Sequence, residues 1–400
     1  MAARVFTLPD IDDLTKEQDA IIDLPLEGQY LIVGGPGTGK SVVALMRARR
    51  LAREQQKYVC LAYNKTLLKS NEQLFGKGLQ SKQWLSWFMK TYFSLIGSRV
   101  PCIETKNGGF KPIDWDNVSH NIISYMEQEA ESDTAKDDEA IEISKDTLII
   151  DEGQDMPPSF YTSLVELGYE NFFVVADQNQ QINEGCSSIK ELRAVMVLEP
   201  EDVFELTINW RNSYEIAVFS RHFFTDEATP APNLPDPNTR ATGDLPTLYS
   251  YHANNFAAIV ERILIQAKDH DHKLIGIICP NNTVLNAYLA KLTEKKNSNT
   301  AYQDIPIGYY NNGQPVSIDF GQGGIFILNA HSCKGLEFDT VFLADIDDHY
   351  APSNTDVLKK RFYVMASRAR EKLFLLRKNG SDTKTINDIL PNDNSILNRC

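Results

Sequence analysis

The sequence predicts an α/β protein built on parallel sheets, because short apolar segments alternate with segments of helical periodicity along most of its 400 residues. The apolar segments are the predicted strands: 30–33, 58–62, 147–150, 172–176, 247–250, 274–279, 325–328, 341–344 and 373–376. They fall into an early and a late group, separated by a proline-rich loop at 225–246. A chain of this length with 42% apolar residues has too many of them to form one small core. We therefore expect two stacked α/β domains, with the crossing near 200–210.

The first predicted strand runs into a glycine-rich segment, GGPGTGKS, which is followed by a helical pattern. The pattern Gly-x-x-x-x-Gly-Lys-[Ser/Thr] between a strand and a helix is typical of a phosphate-binding loop. Its backbone N–H groups and the helix N-terminus would surround an anion, with Lys40 reaching the β- and γ-phosphates and Ser41 holding Mg²⁺. The alternative is an ordinary glycine-rich turn, but the strand–turn–helix setting favours a nucleotide. The predicted cradle comprises Gly35, Pro36, Gly37, Thr38, Gly39, Lys40 and Ser41.

A second chemical element, TLIIDEGQD, places adjacent carboxylates at the end of a predicted buried strand. Opposite a phosphate loop, Asp151 can hold the Mg²⁺ shell through water, and Glu152 can polarise the attacking water as general base. The alternative is a solvated acidic turn. The upstream phosphate loop makes the catalytic interpretation preferable.

Composition excludes several classes of protein. No segment approaches the roughly 20 apolar residues of a membrane span, and no signal peptide is visible, so we expect a cytoplasmic protein without membrane contact. The six cysteines are scattered, which predicts neither a disulfide framework nor a zinc site. A net charge of −14 argues against a surface that coats nucleic acid as a whole, although it leaves a local basic track possible.

Further motifs follow in a fixed order. They are LTKEQDAII, LAYNKTLLKS, QWLSWF, FFVVADQNQQI, LTINWRNS, NAHSCKGLEFDTVFLAD and KKRFYVMASRAREKLFLL. Together with the phosphate loop and the acidic strand end, this series resembles the superfamily-one helicases of the UvrD/Rep/PcrA group, from about residue 14 to 376. The resemblance implies two RecA-like domains, residues 1–205 with a small insertion at about 98–146, and residues 206–400.

The resemblance also implies ATP and Mg²⁺ as cofactors and assigns roles around the nucleotide. Gln18 would read the adenine edge, Trp210 would stack on the adenine, and Glu337 would bind the ribose. The implied groups at the γ-phosphate are Gln180, Arg211 and the arginine finger Arg368. Because these arginines follow the first domain in sequence, the site would be complete only when two domains close on ATP.

Single-stranded DNA is the partner that the resemblance implies, with Asn64, Lys65, Trp84, Trp87 and His331 at strand-contacting positions. The sequence agrees in part, since eight basic residues and one acid lie between residues 40 and 69, with aromatic residues just beyond. The alternative is equally simple. The arginines of the phosphate helix would solvate its outer face, and aromatics at helical spacing would be core.

Departures from the family pattern leave two functions open. The segments that carry large accessory insertions in full-size helicases are short, and the third motif lacks the aromatic that usually follows its glutamine. One hypothesis is an ATP-driven motor that translocates on single-stranded DNA, 3′ to 5′ as the resemblance implies, or unwinds duplex. The other is an ATP-driven regulatory or sensor subunit of a larger assembly, such as a nuclease-containing or phage-defence complex.

Overall fold

The computed structural model describes residues 4–104, 111–131, 146–177, 185–225, 231–311, 316, 318–349, 355–379 and 383–400. Its first part contains α1 (Lys16–Ile22), β1 (Gln29–Gly34), α2 (Lys40–Arg53), β2 (Tyr58–Ala62), α3 (Lys65–Phe75), β3 (Ser81–Gln83), α4 (Trp84–Ile96), α5 (Trp115–Glu131), β4 (Thr147–Asp151), α6 (Pro158–Glu166), β5 (Asn171–Ala176), α7 (Ile189–Val195) and β6 (Val203–Leu206).

The first sheet has the strand order β3-β2-β4-β5-β1-β6, and all its described pairings are parallel. Parallel pairing brings the carboxyl ends of β1, β4 and β5 to one edge of the sheet. Ligands bind in the crevice outside that edge in open α/β sheets. The glycine-rich segment, Asp151 and Asp177 lie there because each ends or directly follows one of these strands.

The sheet is covered on both faces, as its apolar strands require. On one face α2 packs through Val43, Ala44, Ala48 and Leu51, which lie on one side of the helix and form an apolar stripe. The other face is covered by an aromatic-rich cluster of α4, α5 and α6. This packing fixes the helix that begins at Lys40.

The second part contains α8 (Tyr214–Arg221), α9 (Pro237–Arg240), β7 (Thr247–Tyr251), α10 (Phe256–Asp269), β8 (Leu274–Cys279), α11 (Asn282–Ser298), β9 (Ile307–Tyr309), β10 (Gly324–Asn329), β11 (Phe338–Leu343), α12 (Thr355–Ala366), β12 (Ala369–Lys378), α13 (Lys384–Ile389) and β13 (Asn398–Arg399). Its sheet has the order β13-β7-β12-β11-β8-β10-β9, again with parallel pairings throughout the described strands. Two apolar clusters cover its faces.

The predicted α/β class with parallel sheets is confirmed, and each of the nine predicted strands is present. The first sheet ends at Leu206 and the second begins at Thr247, so the proposed division at 205/206 stays a prediction within that interval. Part of the predicted insertion at 98–146 is the helix α5, and residues 105–110 and 132–145 of it lie outside the described residues.

The expectations about cysteines and membrane contact can be compared with the structure. All six cysteines are free thiols. Among the described helices, none combines the length and apolarity that crossing a bilayer requires. The segment His270-Asp271-His272, which could be drawn as a metal site, is a surface turn whose His272 Nδ1 lies 3.6 Å from Asp271 Oδ1. No group of three or more His, Cys, Asp or Glu side chains that could hold a metal ion occurs within the described ranges.

A buried histidine in the second domain gives stability a pH dependence. His349 is 3% exposed and packs against the Phe362 ring, with 6.0 Å between ring centroids. Burial, and then the positive charge of Arg361, lowers the pKa of His349 to about 3. An unfolded histidine has a pKa of about 6.5. At pH values between the folded and the unfolded pKa, the unfolded chain therefore binds a proton that the folded chain does not. The contribution of neutral His349 to the free energy of unfolding is therefore complete above pH ~6.5, and it is lost as the pH falls towards the pKa of the folded state.

We expect His349 to lower the free energy of unfolding by about 2 kcal/mol between pH 7.5 and pH 5, as measured by denaturant unfolding across that range. His349→Phe should flatten this slope. The matched control is His272→Phe, because the His272 side chain is 50% exposed. An equal slope in wild type and His349→Phe would contradict the prediction.

Candidate nucleotide site

The glycine-rich segment wraps tightly because two of its glycines adopt conformations that other residues avoid. Gly37 and Gly39 have φ of 75° and 94°. A Cβ at Gly39 would lie 2.2 Å from Gln18 Nε2, and one at Gly37 would lie 2.4 Å from Asn209 Oδ1. The loop is thus enclosed from both sides, by α1 and by the turn that follows β6.

Other loop residues are equally constrained. Thr38 Oγ1 donates to the Gly35 carbonyl at 2.9 Å. A Cβ at Gly35 would lie 2.1 Å from Pro232 Cγ, so the loop after α8 presses on the phosphate loop. Pro36 lines the adjoining cavity. Residues 35–39 therefore form one compact turn, and Lys40 and Ser41 begin α2 directly after it.

Lys40 begins α2 with its side chain buried at the loop. Its Nζ donates to the carbonyls of Gly34 at 2.8 Å and Gly35 at 2.7 Å, and lies 3.6 Å from Asp177 Oδ2. Burial lowers the pKa of Lys40, although the carboxylates of Asp177 and Glu152 act in the opposite direction. A desolvated ammonium interacts strongly with any anion that enters the loop.

Asp151 ends β4 directly beside the start of α2. Its Oδ2 accepts from Asn71 Nδ2 at 3.0 Å, and its carboxylate also bonds the Ser41 side chain. Burial, with the neighbouring Glu152, raises the pKa of Asp151 to about 6 against these hydrogen bonds and the Lys40 charge. A hydroxyl and a carboxylate side by side suit Mg²⁺, which keeps waters and substrate phosphates as its other ligands. The residues present therefore fit the predicted metal.

Glu152 occupies a strained backbone position, with φ 58° and ψ 45°, which for a residue other than glycine is typical of functional sites. Its Oε2 accepts from Gln154 Nε2 at 2.6 Å. Burial opposes ionisation, but Lys334, Lys40 and Arg368 outweigh it and lower the pKa of Glu152. The carboxylate is thus held ionised at neutral pH, as a general base must be.

Gln154 connects the acidic strand end to the next strand, because its Oε1 accepts from the Asp177 backbone N–H at 2.9 Å. Asp177 in turn lies beside Lys40. Gln180, the predicted γ-phosphate contact three residues on, lies outside the described residues.

The turn after β6 touches both halves of the protein. The Trp210 backbone N–H donates to the Gly37 carbonyl at 2.8 Å, which joins the turn to the phosphate loop. Asn212 Nδ2 donates to the Ser367 carbonyl at 3.1 Å, which joins the turn to the segment that carries Arg368. Arg211 is therefore positioned by contacts with both domains.

Arg368 is 1% exposed and lies against its own domain. Its Nε donates to the Val364 carbonyl at 2.9 Å and its Nη2 to Ser367 Oγ at 3.1 Å. Burial, with the neighbouring Arg211, lowers the pKa of Arg368 to about 10, while Glu152 acts in the opposite direction. The guanidinium remains charged at neutral pH and faces the carboxylates of the first domain.

Three arginines surround Glu337. Arg211 Nε lies 3.2 Å from Glu337 Oε2, and Arg370 Nη1 lies 3.3 Å from Glu337 Oε1. Arg4 Nη2 lies 3.9 Å from Glu337 Oε1. Burial would raise the pKa of Glu337, but these arginines lower it on balance.

One cavity of about 420 Å³ collects these groups from both domains. Its wall includes Lys40, Ser41 and Glu152 from the first domain, and Arg368 and Glu337 from the second. The predicted adenine contacts line it too, with Gln18 buried beside the loop and Trp210 43% exposed beneath the Arg240 guanidinium. A cavity with a phosphate loop at one side and arginines at the other suits a nucleoside triphosphate.

Two parts of this site were not predicted from the sequence. Asn71 holds Asp151, and Lys334 forms a buried ion pair with Asp155, 2.6 Å between Nζ and Oδ1. The Lys334–Asp155 pair joins the second domain to the acidic segment of the first, and both side chains are 5% exposed or less. The motifs DEGQD and KGLEF contain Asp155 and Lys334, and Asn71 directly follows the motif LAYNKTLLKS, but no local pattern indicates which partners meet.

The predicted strand-contacting residues separate into two groups. Asn64 caps α3, accepting from the Leu67 N–H at 2.7 Å, and Lys65 and His331 are exposed. Thr66 Oγ1 lies 2.8 Å from the Ser332 carbonyl, which brings the two segments together where the domains meet. Contact of Asn64, Lys65 and His331 with a strand stays a prediction.

The assignment of Trp84 to strand contact needs correction. Trp84 is 8% exposed and packs edge-on against Phe160, with 5.0 Å between centroids, in the core of the first domain. Trp87 is half-buried against Tyr169, at 6.0 Å. Helical spacing of these aromatics reflects core packing, the alternative that the sequence left open. The buried Trp84 ring is thus part of the core, whereas strand contact by the half-buried Trp87 stays a prediction.

Two arginines of α2, Arg47 and Arg50, do not solvate an outer face, whereas Arg53 is exposed. Arg47 is 1% exposed and donates to the Leu24 carbonyl at 2.7 Å and to the Pro25 carbonyl. Arg50 donates to the Ile22 carbonyl at 2.7 Å. These bonds fasten the end of α1 to α2 and so fix Gln18 beside the phosphate loop.

Two protein families match segments of this chain. Residues 17–186 match the family described as AAA domain, and residues 309–379 match the UvrD-like helicase C-terminal domain family. The protein "Putative ATP-dependent DNA helicase R568" of Acanthamoeba polyphaga mimivirus is 28% identical over 262 residues, which cover 60% of this chain and 36% of that relative. This chain thus matches about a third of the relative's length.

Among solved structures, the C-terminal domain of a possible DNA helicase from Lactobacillus plantarum WCFS1 aligns with 48% of this chain and 98% of its own chain. Its sequence identity is 15% and its TM-score is 0.33, a similarity too low to carry an argument.

Proposed function

Since the chain belongs to the UvrD-like superfamily-one helicases, a family of ATP-hydrolysing enzymes, we propose that it hydrolyses ATP in the divided cavity and couples hydrolysis to movement on single-stranded DNA. The observation that carries the proposal is the composite wall of that cavity. Lys40 and Glu152 of the first domain and Arg368 of the second line the same space of about 420 Å³.

The residues have distinct roles in hydrolysis. The Lys40 ammonium exchanges its loop carbonyls for β- and γ-phosphate oxygens, and Glu152 accepts a proton from the attacking water. Arg211 and Arg368 neutralise charge on the transferring phosphoryl group. Ser41 and Asp151 would hold Mg²⁺, which when bound offsets charge on the phosphate oxygens.

Coupling to a strand follows from the position of the interdomain contacts. The start of α3 at Thr66 and the segment at Ser332 meet where Asn64, Lys65 and His331 lie. Helix α3 also lines the nucleotide cavity, through Ser70 and Asn71. Closure and opening around ATP would change the spacing of these elements and move a bound strand. Movement in the 3′ to 5′ direction is the part of the proposal that rests on the family resemblance.

Glu152→Gln is expected to lower the ATP hydrolysis rate by about 10²-fold or more and to leave ATP binding nearly unchanged. The amide keeps the size of the side chain and can still accept from Gln154, but it cannot take a proton. Steady-state phosphate release and equilibrium binding of a fluorescent ATP analogue measure the two effects. The control is Glu170→Gln on the exposed surface, and equal turnover in wild type and Glu152→Gln would contradict the assigned role.

The direct test of the proposed function is ATP turnover with and without single-stranded DNA, duplex DNA and single-stranded RNA. We expect single-stranded DNA to stimulate turnover manyfold. Displacement of streptavidin from the 5′ end of a biotinylated strand, but not from the 3′ end, would support 3′ to 5′ movement. A response that is flat across all nucleic acids would contradict the motor function.

A second candidate function, a regulatory subunit with little motor output alone, is favoured by one surface feature. Helices α4 and α5, joined by the bond from Asn121 Nδ2 to Tyr92 Oη at 2.8 Å, both expose large apolar side chains. The exposed fractions are 40% for Met89, 55% for Phe93 and 46% for Ile123. Apolar surface of this kind marks contacts with other proteins. Processive strand displacement by the purified chain alone would count against this candidate.

A further inference from the structure

The segment before α1 crosses the nucleotide cavity from one domain to the other. Arg4 is 8% exposed and lies on the second domain, where its Nε donates to Asp339 Oδ2 at 2.9 Å and its Nη1 to the Phe320 carbonyl at 3.1 Å. Its backbone N–H donates to the Gly321 carbonyl at 2.9 Å. Its Nη2 also lies 3.9 Å from Glu337 Oε1. These four contacts fix Arg4 to the second domain.

The next residues alternate between the protein and the solvent, as an extended segment does. Phe6 stacks on Phe320 of the second domain with 5.4 Å between ring centroids. Leu8 is 7% exposed and packs with Leu45 and Met46 of α2, the helix that carries Lys40. The segment is thus anchored in the second domain at Arg4 and Phe6 and in the first domain at Leu8.

Between these anchors the segment forms part of the cavity wall. Val5, Phe6, Thr7 and Pro9 line the cavity that also contains Lys40. Four residue steps of extended chain reach roughly 14 Å. The contacts of Arg4 and Leu8 therefore cannot move farther apart than this unless one of the two residues loses its contacts. If nucleotide release requires the two domains to move farther apart on this side, Arg4 or Leu8 must first lose its contacts.

We infer that residues 4–8 form a strap that ties the two domains together across the nucleotide cavity, and that Arg4 is a positioning residue that holds Glu337 at the cavity wall. Because the cavity is taken as the ATP site, the strap depends on the proposed function. Arg4 acts on nucleotide through Glu337 and through the domain spacing. It is not a catalytic residue.

The strap predicts a change in nucleotide release without a change in chemistry. Arg4→Ala removes one of the three arginines around Glu337 and one anchor, so release of a fluorescent ATP analogue, mant-ATP, should become about tenfold faster. The KM for ATP should rise to a similar extent, and kcat at saturating ATP should stay within about twofold of wild type. Arg4→Lys keeps the charge and should restore release in part.

A second variant protects the test against simple misfolding. Phe6→Ala removes the contact with Phe320 but leaves the Arg4–Asp339 ion pair, and it should also speed release. Ile11→Ala, 62% exposed in the same region, is the control and should match wild type. Thermal unfolding midpoints of all variants show whether folding is intact.

The outcomes separate the strap from the proposed function. Wild-type release rates in both Arg4→Ala and Phe6→Ala, in protein that hydrolyses ATP, would overturn the strap alone. A fall in kcat with no change in release or KM would also overturn it. Wild-type protein that binds no mant-ATP would overturn the proposed function, and the strap with it.

Discussion

Lys40→Ala is expected to abolish ATP turnover, with a fall of at least about 10²-fold in kcat. The Lys40 ammonium is buried at the phosphate loop. Burial lowers the pKa of Lys40 because it removes the water that would stabilise the charged form. Alanine leaves the phosphate oxygens without that charge at the position where negative charge concentrates during phosphoryl transfer. Steady-state phosphate release with saturating single-stranded DNA measures the effect.

The matched control for this variant is Lys77→Ala, since Lys77 is exposed in the turn after α3. Its turnover should equal that of wild type. Turnover of Lys40→Ala within a few fold of wild type would mean that the loop does not bind the reacting phosphates.

Arg368→Ala is expected to block hydrolysis while ATP binding survives. Loss of an arginine that stabilises the transferring phosphoryl group lowers kcat by about 10³–10⁵-fold. Binding should change little, because the phosphate loop, Gln18 and Trp210, which line the same cavity, keep their predicted contacts with the nucleotide. Phosphate release reports kcat, and fluorescence titration with mant-ATP reports binding.

The Arg368 guanidinium also stabilises its own domain, since it donates to the carbonyls of Val364 and Leu336. Arg368→Lys therefore serves as a second variant that keeps the charge and most of the volume. It should fold like wild type and still hydrolyse slowly, because lysine lacks the planar fork of donors. Wild-type hydrolysis by both variants would contradict a role for this residue in the reaction.

The nucleotide side of the protein was predictable from sequence because its signals are local. The phosphate loop, Asp151 and Glu152 each follow an apolar strand, and parallel pairing brings such strand ends to one edge. The nine longer strands were predictable for the same reason. The strands β3, β6, β9 and β13 were missed because they are two to four residues long and lack a continuous apolar run.

Contacts between distant segments could not be predicted. Lys334 meets Asp155 across 179 positions of sequence, and Arg4 meets Asp339 across 335, so each pairing depends on how the domains pack. For Trp84, by contrast, the local pattern was visible but had two interpretations. An aromatic at helical spacing fits both a base contact and a core, and its position against Phe160 decides for the core.

The arginines of α2 illustrate a third limit. A basic stretch suggested either a strand-binding track or a solvated face, but Arg47 is buried and bonds carbonyls at the end of α1. Sequence gives the charge of a side chain but not the carbonyl groups within its reach. Lys65, on the same basic stretch, is exposed and remains a candidate for strand contact.

The most direct test of a site divided between two domains is single-turnover hydrolysis of pre-bound ATP, in wild type and Arg368→Ala, with and without saturating single-stranded DNA. A divided site predicts that the strand accelerates hydrolysis manyfold in wild type and leaves Arg368→Ala slow, although both proteins hold ATP at the start. Acceleration of Arg368→Ala to the wild-type rate would show that the second domain supplies no group essential to the chemistry.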